Sequence, residues 1–266
     1  WEKYHYERVF FLTDRYLYQN ENVIPVLKLL ERMGVMYTVY CDLAPNLTAE
    51  QVERGITALE RFQPDAIVSM GGGTVLDAAK LMRYRWEHPE VSWEGLRLNF
   101  LDDRKRVLEA EKREQKTPLF TIATTAGTGA ECTPCAVVTD EKTGVPWQIY
   151  HPELLPTAAI IDANHMKCLP KGLTREDGMG TLTRALESYL SLCATDYTDG
   201  FALFSCKNVL DYLLCAYDRL EEDEVARRKL ADASALAGMA AANTFPGLVS
   251  SMACALSAWH HLPYGV

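Results

Sequence analysis

The chain has 266 residues, of which 48% are hydrophobic and 24% are charged, and its net charge is −9. This length and composition are typical of a globular protein with one large domain or two modest ones. The acidic balance argues against a nucleic-acid partner, because binding to a phosphate backbone needs a basic surface. The basic run at residues 104–106 lies beside two aspartates, so we interpret it as solvated surface.

The amino-terminal part alternates between apolar runs and helical periodicity. We predict strands at residues 9–13, 35–40, 66–70, 119–123 and 158–162. We predict helices at residues 23–32, where Gly34 stops the helix, after the capping box at residues 48–51, and after the three glycines at residues 71–73. This alternation is typical of a parallel sheet with helices on both faces.

From about Gly172 the strand runs give way to long helical periodicity, so we place a domain boundary at residues 165–172. The predicted domains are residues 1–168 and residues 169–266. The stretch at residues 233–259 has no charged side chain, but Pro246-Gly247 interrupts it, and we predict two buried helices there and not a membrane span.

Eight cysteines are scattered along the chain, and no secretory segment precedes them. Reduced thiols and a cytoplasmic location are therefore expected. Cys132 and Cys135 form a CxxC pair, but the chain shows neither a second pair nor a thioredoxin-like context, so the pair does not indicate a redox or metal site.

Two loops of small residues follow neighbouring predicted strands. Gly71, Gly72, Gly73 and Thr74 make up the glycine loop (residues 71–74), and Thr-Thr-Ala-Gly-Thr-Gly makes up the second loop (residues 124–129). Glycines let backbone N–H groups approach a phosphate, and a helix N-terminus adds partial positive charge. A tight turn is the alternative for the glycine loop alone. Together, the loops predict one dinucleotide crevice at the carboxyl edge of the sheet.

Asp14 ends the first predicted strand at the same edge. A carboxylate there can accept both ribose hydroxyls of NAD and would repel a 2′-phosphate. The alternative role is capping of a helix N-terminus.

Several segments together resemble the iron-containing alcohol dehydrogenases, and in particular the alcohol dehydrogenase half of bifunctional aldehyde-alcohol dehydrogenases. They are LTDR (12–15), PNLT (45–48), GGGTVLDAAK (71–80), EHPE (87–90), FLDDRKR (100–106), TTAGTGAE (124–131), IDAN (161–164) and ESYLS (187–191).

The resemblance implies a Rossmann-like parallel-sheet domain followed by an all-helical domain, which would be incomplete here because family members continue past residues 263–265. It also implies NAD as cofactor, a small alcohol or aldehyde as substrate, and a homo-oligomer or filament. The loops and the resemblance together give these candidate cofactor-binding residues: Asp14, Asn46, Gly71, Gly72, Gly73, Thr74, Asp77, Thr124, Thr128, Thr133 and Leu155.

The resemblance also places four metal ligands, an Asp and three His, at Gly180, Arg184, Ser250 and Tyr264. A further family histidine is replaced by Cys254. In the family the divalent ion polarises the substrate oxygen so that hydride can leave. Arg184 brings a permanent positive charge, which at about 4 Å and an effective dielectric near 20 repels each unit of cation charge by roughly 4 kcal/mol. We therefore expect NAD binding without a metal.

Two alternatives keep an active alcohol/aldehyde oxidoreductase. In one, a rewired metal site uses residues such as Asp177, His165, His260 and His261. In the other, Arg184 polarises the carbonyl and Tyr264 donates the proton.

Overall fold

The computed structural model of the chain describes residues 5–97, 116–167, 169–219, 223–245 and 247–260. The basic run at residues 104–106, His261 and Tyr264 lie outside the described residues, as does the side chain of His260. The Arg184–Tyr264 alternative therefore stays a prediction.

The described elements follow one another in a β-α order and then become helical. The first part contains β1 (Arg8–Leu12), α1 (Arg15–Gln19), α2 (Ile24–Arg32), β2 (Met36–Tyr40), α3 (Ala49–Phe62), β3 (Ala66–Gly71), α4 (Gly73–Glu87) and α5 (Trp93–Arg97). Next come β4 (Leu119–Ala123), β5 (Cys135–Thr139), β6 (Pro146–Tyr150) and β7 (Ala158–Ile161). The helical part comprises α6 (Lys171–Leu190), α7 (Asp196–Arg219), α8 (Glu224–Thr244) and α9 (Leu248–His260).

Five of the strands form one parallel sheet in the order β2-β1-β3-β4-β7. Alternate residues of β1 enter two different cores, as the period of two in a strand requires. Phe10 packs with α3 and α4 on one face, whereas Phe11 packs with Leu27 and Leu30 of α2 on the other. The predicted parallel sheet with helices on both faces is confirmed.

Local signals set the ends of the helices beside the sheet. The side chain of Thr48 accepts the N–H of Gln51, whose own side chain accepts the N–H of Thr48, so the predicted capping box begins α3. Gly34 follows α2 with φ +70°, a left-handed conformation that glycine adopts without strain.

β5 and β6 form an antiparallel hairpin apart from the main sheet, which was not predicted from the sequence. Ala136 and Val138 alternate with less buried neighbours in β5. β6 buries Ile149 as its one fully covered residue. Such short strands give only a weak period-two signal.

The prediction of two buried helices at residues 233–259 is correct for α8 and wrong for α9. The apolar face of α8 is built largely from alanines, including Ala233, Ala237 and Ala240, which let α6 and α7 pack closely against it. In α9, Leu248 is 75% exposed and Met252 is 55% exposed, because within the described residues α9 packs along one side, against α6 and β6.

Within the described residues, no single helix is both long and apolar enough to cross a membrane, and the one pair that passes by length and composition, α8 with α9, bends by 108° at its break.

Candidate dinucleotide site

The glycine loop and the second loop meet at the carboxyl ends of β3 and β4, which are neighbours in the sheet. The Thr124 N–H donates to the carbonyl of Gly71 at 3.1 Å. A Cβ on Gly73 would lie 2.8 Å from the side chain of Thr128, and one on Gly72 would lie 3.2 Å from Thr125. Glycine is therefore what allows the two loops to approach and form one crevice.

The N-terminus of α4 opens into this crevice. The helix begins at Gly73, after Gly72 as its N-cap residue, and no side chain caps it. Its first N–H groups and its dipole favour an anion, which makes the position suitable for a pyrophosphate.

Asp14 and Asn46 lie at the same edge. Asp14 follows β1 and accepts the N–H of Leu17 at 2.8 Å. It therefore caps α1, which is the alternative role predicted from the sequence. Asn46 is exposed, and the Thr74 hydroxyl donates to the carbonyl of Pro45 next to it at 3.2 Å. Since a carboxylate has two oxygens, capping and ribose binding by Asp14 are compatible.

Asp77 and Thr133 belong to a buried network around Lys80, a residue that the sequence analysis did not select. The Lys80 ammonium lies 3.2 Å from Oδ1 of Asp77 and donates to Thr133 Oγ1 at 3.3 Å and to the carbonyl of Cys135 at 2.7 Å. Asp77 Oδ2 also accepts the Val137 N–H at 3.0 Å. The network ties α4 to β5.

Burial raises the pKa of the Asp77 carboxyl, and Lys80 opposes that shift. Burial likewise raises the pKa of the Cys132 and Cys135 thiols to about 12, so both stay protonated near neutral pH. A reactive or metal-binding cysteine needs the thiolate, and this CxxC pair does not provide one.

Leu155 is the one candidate cofactor residue that the structure does not bring to the crevice. It precedes β7, and Thr157 after it donates its N–H to Leu119 at the amino end of β4. Its carbonyl accepts from Arg83 at 3.3 Å, and its side chain is 44% exposed. Leu155 therefore lies towards the opposite edge of the sheet.

The described positions to which the resemblance assigns metal ligands do not fit a divalent ion. Gly180 has no ligand atom. Arg184 of α6 donates from its guanidinium to the carbonyl of Thr128 in the second loop. The Ser250 hydroxyl donates to Glu187, which also accepts the N–H of Ser250 at 3.0 Å and of Gly247 at 3.2 Å.

Arg184 supplies positive charge to this region. Its charge favours the ionised forms of Asp77 and Glu131, although burial is the larger effect and raises the pKa of both carboxyls. Burial raises the pKa of the half-buried Tyr150, and the charge of Arg184 opposes that shift. Tyr150, whose hydroxyl donates to Ala241 at 3.3 Å, is a further residue that sequence patterns did not select.

Among the described residues, the one group of three metal-type side chains is Glu87, His88 and Glu153. There His88 Nε2 and Glu153 Oε2 are 2.7 Å apart, and Glu87 accepts the N–H of Thr117 at 2.8 Å. These residues sit at the far end of α4, so that group does not rebuild a site from Asp177 or His165.

The helical part also holds the second loop, through residues that sequence reasoning missed. The Thr181 hydroxyl lies 2.9 Å from the carbonyl of Ala126 and 3.1 Å from that of Gly127. The Gly129 N–H donates to Ser234 Oγ at 3.1 Å. In the sequence these are ordinary small polar residues in helices, and no local signal marks them.

Comparison with known proteins identifies the family to which the chain belongs. The family model "Iron-containing alcohol dehydrogenase" matches residues 1–163, and the model "Fe-containing alcohol dehydrogenase family, C-terminal" matches residues 174–266. The aldehyde-alcohol dehydrogenase of Clostridium acetobutylicum is 38% identical over 98% of this chain, which spans 30% of that protein.

The NAD-dependent methanol dehydrogenase of Bacillus methanolicus is 33% identical over 98% of the chain and 65% of that protein. The crystal structure of a 1,3-propanediol oxidoreductase superposes with a TM-score of 0.88 at 30% identity, covering 98% of this chain and 65% of the other.

Proposed function

Because the chain belongs to the iron-containing alcohol dehydrogenase family, we propose that it binds NAD(H) between the glycine loop and the second loop and has lost the divalent-metal site. The observation that carries the proposal is the guanidinium of Arg184, which is bonded to the Thr128 carbonyl at a position where the family resemblance places a ligand histidine.

The two loops and the N-terminus of α4 would hold the pyrophosphate through backbone N–H groups. Asp14 would select NAD over NADP, because its carboxylate accepts ribose hydroxyls and repels a 2′-phosphate. The nicotinamide, when bound, supplies the hydride chemistry. The NAD-dependent methanol dehydrogenase among the relatives supports this choice of cofactor.

Several relatives are named for alcohols and aldehydes. We therefore propose that the second ligand, bound beside the dinucleotide, is a small alcohol or aldehyde. Without an ion to polarise its oxygen, such a ligand would bind without the ordinary route to hydride transfer. We therefore propose a nucleotide-binding domain with lost or strongly impaired alcohol turnover.

Self-association is part of the proposal. Large apolar side chains at the end of α6 and the start of α7 are exposed, with Leu190 at 76%, Leu192 at 90% and Tyr197 at 85%. An apolar patch of this kind is typical of an interface. Light scattering after size exclusion should give a mass above that of one chain, and a monomer at all concentrations would contradict this part.

A fluorescence titration with NADH tests nucleotide binding. The chain is first treated with EDTA, and we expect saturable binding that added Zn²⁺ or Fe²⁺ does not change. Gly73→Ala should weaken binding, since its Cβ would meet Thr128 at 2.8 Å. Gly200→Ala is the matched control, because a Cβ there meets nothing within 4 Å. Absence of NADH binding to the folded, EDTA-treated chain would refute the proposal.

A further inference from the structure

One face of α6 lies against the backbone of the second loop. Asp177, Thr181 and Arg184 are spaced by four and three residues, so they share that face. Thr181 bonds the carbonyls of Ala126 and Gly127, and Arg184 bonds the carbonyl of Thr128. The helical part of the molecule thus holds the conformation of a loop that lines the dinucleotide crevice.

Asp177 lies directly against the backbone of the second loop. A Cβ added to Gly127 would lie 2.5 Å from Asp177 Oδ1, so the carboxyl packs tightly on the loop backbone. Its other oxygen, Oδ2, is buried and has no hydrogen-bond partner within the described chain. Asp177 thus packs an ionisable group directly against the loop.

Little around Asp177 compensates a negative charge. The carboxyl lines a small cavity together with Arg227 of α8, whose guanidinium donates to Thr174 Oγ1 at 2.8 Å and to the carbonyl of Ala216 at 3.3 Å. Glu176, beside it on α6, adds a like charge. The second loop has no charged side chain, and the part of the cavity contributed by Met166, Leu169 and Leu230 is apolar.

Burial raises the pKa of Asp177 to about 7, Glu176 adds to the shift, and the Ala126 N–H opposes it. If the loop left α6, the carboxyl would gain water, and its pKa would return towards the ordinary value of about 3.9. The docked arrangement therefore holds the proton more tightly. Its advantage is complete below about pH 4 and is lost progressively as the pH rises to about 7.

We propose that Asp177 is a positioning residue that makes the dinucleotide affinity of this chain depend on pH. The neutral carboxyl lets residues 124–129 rest on the Asp177–Thr181–Arg184 face, and the ionised carboxylate loosens them from it. The binding readout rests on the proposed function, so a second readout is taken on the loop itself.

The first measurement is the Kd for NADH between about pH 6 and about pH 8, for the wild-type chain, for Asp177→Asn and for Asp211→Asn. Asp211 is an exposed acid of α7 paired with Lys207, so its variant removes the same charge away from the loop. We expect the wild-type Kd to rise about threefold to tenfold over this range, with the same rise in Asp211→Asn. In Asp177→Asn the Kd should stay flat. An unchanged pH profile in Asp177→Asn would overturn the proposal.

The second measurement is hydrogen exchange of the amides at residues 124–129 without nucleotide. At the higher pH we expect greater protection in Asp177→Asn than in the wild type, and equal protection at the lower pH. If NADH binds nowhere but this difference appears, the nucleotide-binding function fails and the positioning role stands. If NADH binds, but Asp177→Asn changes neither the pH profile of the Kd nor the hydrogen exchange of residues 124–129, the positioning role fails. Asp177→Ser removes the same charge. It is used in both measurements if Asp177→Asn does not fold.

Discussion

At the residue scale, Arg184 and Ser250 are each committed to a partner within the protein. The Arg184 guanidinium donates a hydrogen bond to the carbonyl of Thr128, and the Ser250 hydroxyl donates one to the carboxylate of Glu187. A cation entering this region would have to break both contacts and to tolerate a permanent positive charge. Both side chains therefore join separate parts of the fold.

Asp14 combines two roles that one substitution can separate. Asp14→Asn keeps an N-cap side chain for α1, since asparagine caps as well as aspartate, but removes the charge that would repel a 2′-phosphate. We expect the ratio of the NADPH and NADH dissociation constants to shift about tenfold towards NADPH, which corresponds to about 1.4 kcal/mol. The melting temperature should not change. An unaltered ratio, measured by fluorescence titration, would rule out the ribose role.

Gly129 is required for two reasons, a left-handed backbone and a close contact. Its φ is +59°, and an added Cβ would lie 2.4 Å from the carbonyl oxygen of Ser234. Gly144 has φ +68° but nothing within 4 Å. Gly144→Ala should therefore cost about 1–2 kcal/mol in the free energy of unfolding, whereas Gly129→Ala should cost about 1–3 kcal/mol more. Urea denaturation measures both, and equal losses would contradict the close packing of the second loop on α8.

At the element scale, Glu187 of α6 caps the start of α9 from outside that helix. Its carboxylate accepts the N–H groups of Gly247 and Ser250 and the Ser250 hydroxyl. Since α9 is largely exposed, this cap is a major part of what holds its first turn.

Glu187→Ala should release the first turn of α9. We expect faster hydrogen exchange at residues 250–254 and a loss of about 1–2 kcal/mol in the free energy of unfolding. Asp211→Ala on α7 is the control, because Asp211 is exposed and pairs with Lys207 instead. Unchanged exchange in α9 after loss of Glu187 would show that the helix does not depend on this cap.

The capping box of α3 gives a second element-scale prediction. Thr48→Ala removes the acceptor for the Gln51 N–H and should cost about 0.5–2 kcal/mol. Thr57→Ala, within the same helix, removes a hydroxyl whose one partner among the described residues is the carbonyl of Glu53, and it should be nearly neutral. Thermal unfolding distinguishes the two, and a loss of equal size in both variants would argue against the capping box.

At the scale of the whole molecule, the sequence predicted the parts whose signals are local. Apolar runs, the capping box and Gly34 identify most of the sheet and its helices, and the two small-residue loops identify the crevice. The β5–β6 hairpin was missed because its strands are short and partly exposed.

The helical support of the crevice could not be predicted, because its contacts join residues far apart in the sequence. Gly129 and Ser234 are 105 positions apart, and Thr181 and Ala126 are 55 apart. The exposure of α9 was missed for a related reason, since an apolar helix looks the same in sequence whether or not something covers it.

The most direct test of the account is the number of metal ions bound per chain. The folded chain is incubated with Fe²⁺ or Zn²⁺, desalted and analysed by plasma mass spectrometry. A variant combining Gly180→Asp, Arg184→His, Ser250→His and Tyr264→His serves as the comparison. We expect far less than one ion per wild-type chain, and a gain in the variant. One tightly held ion per wild-type chain would contradict it.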